Sequence, residues 1–71
     1  MTNTKLLKKK IDLSGYKMKY IAAQLGITYY GLAKKVNNET EFKASEIQIL
    51  CDLLNVTGEE KEEIFFYLIC R

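Results

Sequence analysis

Apolar residues recur along the chain at steps of three and four, the period of helices, and single glycines, threonines and asparagines divide the pattern into segments. Leu7 and Ile11, four apart in a lysine-rich stretch that ends near Ser14-Gly15, predict a first amphipathic helix. A second covers residues 17–25, with Ile21, Ala22 and Leu25 on one face and Gly26 as its stop. Thr28 stands where it can cap a third helix, whose inward positions are Leu32 and Val36 and whose end falls at Asn37-Asn38. Residues 38–43 read as a polar loop with Phe42 turned inward. A fourth helix is expected over about residues 44–54, where Ile47, Leu50, Cys51 and Leu54 follow the i, i+3, i+4, i+7 spacing of a buried stripe.

Thr57-Gly58-Glu59-Glu60 is a capping-box sequence, in which the threonine hydroxyl covers a first-turn N–H and Glu60 reaches back. The acids at Glu59, Glu62 and Glu63 suit the positive end of a helix dipole. A fifth helix over about residues 58–70 then carries the run Ile64-Phe65-Phe66-Tyr67-Leu68-Ile69-Cys70. Nowhere do apolar and polar residues alternate between turn signals, so no strand is expected. There is no internal repeat and no low-complexity segment. The pattern predicts an all-α protein of five short helices in a single domain over residues 1–71.

Composition narrows the function. Seventy-one residues are too few for a substrate domain beside a cofactor domain, and a core of that size is helped by capping and by a partner subunit. With 48% hydrophobic and 28% charged residues the chain is globular in character. The absence of a membrane-spanning run and of a signal-like apolar stretch after Met-Thr-Asn-Thr-Lys leads us to expect a cytoplasmic protein. The net charge of +2 hides an asymmetry: residues 1–43 carry nine lysines against Asp12, Glu39 and Glu41, whereas residues 44–71 carry Lys61 and Arg71 against six acids. A basic first half fits a surface that meets a polyanion.

Catalysis has little to work with. Without histidine there is no common general base and no Ser-His or Cys-His nucleophile pair. Cys51 and Cys70 are too few for a four-ligand zinc site and too far apart for Cys-x-x-Cys chemistry, and Cys51 reads as a small core residue. The four glycines are dispersed and form no phosphate loop. No enzyme activity, cofactor, metal or small-molecule substrate is expected.

Residues 17–37 have the form of a helix-turn-helix. Ala22 is small where two helices cross, Gly26 permits the positive φ of a sharp turn, and Ile21, Leu25, Ile27, Leu32 and Val36 close a hydrophobic wedge. The segment Ile21-Ala22-Ala23-Gln24-Leu25-Gly26-Ile27-Thr28 resembles the signature of Cro/CI-type (XRE family) helix-turn-helix transcriptional regulators. The stretch from Lys35-Val36-Asn37-Asn38 through Phe42-Lys43 to Leu53-Leu54-Asn55-Val56 is similar to small prophage-type regulators of Gram-positive bacteria. The likeness spans about residues 5–66. It implies a lambda-repressor-like five-helix fold and sequence-specific binding of a double-stranded operator through the third helix, at the nucleoid. A repressor is the expectation, since the chain offers no second domain to sense a ligand. The protein departs from the family where members begin the second helix with Thr or Ser and then Gln; here Lys17 and Met18 stand instead.

By that resemblance the base-contacting candidates are Tyr29, Tyr30 and Lys34, with Lys17, Lys19, Thr28, Asn37, Asn38 and Lys43 as phosphate contacts. The two tyrosines occupy places where the family more often has Gln, Arg or Ser, and each either reaches DNA or packs on a neighbouring helix. The last helix is apolar on all sides, and Ile49 and Leu53 form a second apolar row on the fourth. Together these point to a homodimer whose interface includes Phe66, Tyr67, Ile69, Ile49 and Leu53. The other class compatible with the residues is a protein-interaction module, antirepressor-like, that keeps the fold and binds another regulator; aromatic residues such as Tyr29-Tyr30 are enriched at such interfaces.

Overall fold

The computed structural model describes residues 2–66, and of Phe66 the backbone alone. Among them are helices and turns and no strand: α1 (Thr4–Ser14), α2 (Met18–Leu25), α3 (Tyr29–Val36), α4 (Ala44–Leu54) and α5 (Gly58–Lys61), followed by a π-helical turn over Glu62–Phe66. The apolar spacing explains the inward face of each element. Leu7 and Ile11 of α1, Ile21, Ala22 and Leu25 of α2, Leu32 and Val36 of α3, and Ile47, Leu50, Cys51 and Leu54 of α4 form one cluster, closed by Ile64 and Phe65. Phe42 leans on it from the loop, its ring edge-to-face with Phe65 at 5.6 Å between centroids.

The helix ends are set by local chemistry. Asn3 caps α1 by accepting the Leu6 N–H, and Gly15 ends that helix at φ 76°. Gly26 closes α2 at φ 73°, its N–H returning to the α2 carbonyls. A side chain there would meet no neighbour, so the glycine answers a need for left-handed backbone and not for space. Thr57 and Glu60 form the expected capping box at α5, each bonding the other's backbone N–H. Of the helix expected over about 58–70, Gly58–Lys61 is α-helical and Glu62–Phe66 takes the wider i→i+5 turn, and the remainder lies outside the described residues.

The chain start is tied to two distant elements. Asn3 N–H donates to the Ile64 carbonyl at 2.5 Å. Buried Thr2 gives its N–H to Asn38 Oδ1 at 2.9 Å, and the Asn38 amide returns bonds to the Thr2 carbonyl at 2.7 Å and to Thr4 Oγ1 at 3.1 Å. Asn38 reaches this position with φ 63°, a conformation asparagine tolerates. Among the described residues no helix is long and apolar enough to cross a membrane.

Candidate nucleic-acid interface

Helix α3 begins where Thr28 Oγ1 accepts the Gly31 N–H at 2.9 Å. Leu32 and Val36, four apart, anchor it in the core at 0% and 2% exposure. Turning about 100° per residue, the helix carries Tyr30, Lys34 and then Asn37 along the opposite side. Tyr29 and Tyr30 are 58% and 70% exposed, so neither ring is buried against a neighbouring helix. The Lys34 ammonium lies over the Tyr30 ring, 5.2 Å from its centroid, which joins the two on one stripe. The backbone beneath Lys34 is held as well, because its carbonyl accepts the Glu39 N–H at 2.8 Å and the Thr40 N–H at 3.4 Å.

The other candidates fall at helix starts and in the loop after α3. Lys17 is the exposed N-cap of α2, and lysine has no acceptor to offer the first-turn amides; Lys19, two residues on within the first turn, is exposed as well. Lys43 is exposed at the N-cap of α4, where its own N–H donates to Glu46 Oε1 at 2.8 Å. Asn37 is exposed and ends α3 through its N–H to Ala33 O. Asn38 differs from its neighbour, because its side-chain amide is committed to Thr2 and Thr4.

Lysines that look alike in the sequence carry different electrostatic roles. Lys35 turns inward, its Nζ bonded to Glu46 Oε1 at 2.9 Å and to the Glu41 carbonyl at 3.0 Å, over the edge of the core near Phe42. Burial alone raises the Glu46 pKa; the Lys43 N–H, the Lys35 ammonium bond and the charges of Lys35 and Lys43 outweigh it and hold the carboxyl below its usual range. Lys10 is paired with Glu60 at 2.7 Å. The Cys51 thiol is buried and its pKa raised, first by desolvation and then by Asp52, against an opposing pull from Lys61.

The candidate dimer residues divide. Ile49 is exposed at 40%. Leu53 is half-buried against the monomer's own core, so it is only in part available to a partner. The Phe66 side chain, Tyr67 and Ile69, like Cys70, lie outside the described residues.

Three features went unread in the sequence: the Lys35–Glu46 pair, the Asn38 tie to the chain start, and a stack of Tyr16 on Tyr20, both exposed, at 5.0 Å between centroids. The i, i+4 spacing of the tyrosines and the position of Glu46 three residues into α4 were usable signals for two of them. In comparisons with known proteins, no family model, no curated protein and no solved structure matches the chain.

Proposed function

We propose that this protein is a small, non-enzymatic transcriptional regulator of the Cro/CI type, which binds an operator as a dimer through α3 and acts as a repressor. The observation that carries the reading is the outward stripe of α3, with Tyr30, Lys34 and Asn37 opposite the buried Leu32 and Val36. A short helix anchored by one face and presenting donors and rings on the other is suited to a major groove. The exposed lysines at the starts of α2 and α4 add phosphate contacts that fix register, and the uncapped first turn of α2 offers amide N–H groups to a phosphate. In this reading α2, the turn at residues 26–28 and α3 form the helix-turn-helix of a lambda-repressor-like fold.

The test is retention of duplex DNA from the gene's own neighbourhood, measured across salt concentrations. A specific complex that weakens steeply with salt supports the reading. Binding that is absent, or indifferent to salt, overturns it.

A second reading, a protein-interaction module of the antirepressor kind, is favoured by a different observation. Leu13 is 73% exposed, and the stacked Tyr16 and Tyr20 are exposed as well. Leu13 and Tyr16 line one groove with Leu53 and Leu54. Retention of another regulator, abolished by Leu13→Glu and Tyr16→Ala while DNA binding persists, would favour it.

A further inference from the structure

Resting on the DNA-binding reading above, we infer that Lys34 reads a guanine in each half-site and that Tyr30 is the positioning residue which holds it to that base. Three observations lead there. The Lys34 ammonium is placed over the Tyr30 ring, both on the outward side of α3. Lys35, the adjacent cation, is turned inward onto Glu46, which leaves Lys34 as the cation of this stripe among the described residues of α3. The Lys34 backbone is fixed from behind by the Glu39 and Thr40 amides, so the side chain starts from one position.

The chemistry of the head group then selects the base. An ammonium has three donors and no acceptor. In the major groove cytosine presents a donor, adenine sets a donor beside its N7 acceptor, and thymine pairs one acceptor with a methyl group. Guanine alone offers two adjacent acceptors, O6 and N7, to one ammonium. A free lysine on a long flexible stem could reach a phosphate as readily as a base. The attraction of the Tyr30 face opposes that retreat and keeps the charge near the groove floor. Tyr30 therefore contributes to specificity through its ring, without a hydrogen bond of its own.

Selection from a randomised duplex pool tests this with the full chain as wild type, Lys34→Gln, Lys34→Arg, Tyr30→Phe and Tyr30→Leu, with thermal melts run alongside. Wild type is expected to select guanine at one position per half-site. Lys34→Gln should change that position alone to adenine, whose N6 and N7 suit an amide, and Lys34→Arg should keep guanine. Tyr30→Phe should also keep it, whereas Tyr30→Leu should lower the guanine preference on the order of tenfold and leave the other positions intact. A wild-type consensus that Lys34→Gln leaves unchanged overturns the Lys34 assignment while the regulator reading stands. Equal consensus from Tyr30→Leu and wild type removes the positioning role. No consensus from wild type itself overturns both readings together.

Discussion

Lys35 of α3 and Glu46 of α4 are joined through Nζ and Oε1 at 2.9 Å, with side chains only 14% and 8% exposed. The same carboxylate oxygen accepts the Lys43 N–H at the start of α4. One acid thus caps its own helix and holds the last turn of the preceding one. The bond ties the flank of α3 to α4, beside the buried face of Leu32 and Val36, so the angle at which α3 presents Tyr30 and Lys34 depends on it.

Breaking this pair should be costly. Glu46→Ala leaves the Lys35 ammonium half-buried without its carboxylate and is expected to lower stability by about 2–3 kcal/mol in urea unfolding. The pH dependence follows from the lowered Glu46 pKa. Because the folded value lies below the unfolded one, near 4.5, the stabilisation is present above about that pH and fades as pH falls through the folded value. Glu46→Gln should therefore flatten the acid limb of the stability curve, and an unchanged limb would count against the pair.

Gly26→Ala should destabilise by about 1–2 kcal/mol, since the φ of 73° is the region L-residues avoid. Gly26→Asn should cost less, because asparagine visits that region more easily. Equal thermal shifts for the two substitutions would mean that something other than backbone conformation is at work, as a Cβ there meets no neighbour.

If Lys17, Lys19 and Lys43 contact phosphates, operator affinity should fall steeply with salt. Alanine at any one of them should reduce the log–log slope by about 0.9. Lys35→Ala should leave the slope alone and lower stability instead, because its ammonium is already engaged. A slope that responds equally to Lys43 and Lys35 would contradict the division of labour between exposed and paired lysines.

Self-association is expected at concentrations on the order of ten micromolar, as burial of two or three large apolar side chains per subunit at roughly 1.5–3 kcal/mol each can support. Ile49→Glu, and Phe66→Ser with Ile69→Ser, should yield folded monomers by sedimentation. Leu53→Ala should lower stability too, because Leu53 packs in part on the core of its own chain. Loss of helical signal in the Phe66/Ile69 variant would assign those residues to the monomer's interior.

What could be read in the sequence was whatever is encoded locally. The expected limits of α4 hold at Ala44 and Leu54 because its four inward residues fall on one stripe, and Glu46 marks its first turn. Gly26 and the Thr57–Glu60 box signal their own conformations for the same reason. The π-helical turn was not legible, since in a run where Ile64, Phe65, Phe66 and Tyr67 are all apolar the spacing carries no phase. At the candidate site, Lys34 and Lys35 are the same residue type at adjacent positions, and only the helical angle from Leu32 separates an outward cation from an inward one. Asn38 is a different case: as a helix-ending asparagine it was legible, but its side-chain partners lie 34 and 36 residues away.

That distance has a kinetic consequence. A bundle of short helices makes most of its contacts between near neighbours in sequence, and chains of such low contact order fold fast. The bonds from Thr2 to Asn38, and from Asn3 to Ile64, require closure of loops that span half the chain and nearly all of it. They are expected to form after the helices they join and to open first. Thr2 and Asn3 amide exchange should therefore report a partial opening well below the global unfolding free energy, one that releases the end of α3 while the core under Leu32 and Leu50 stays closed. Bulk fused immediately ahead of Thr2 would shift that equilibrium first, before any effect on the melting of the bundle.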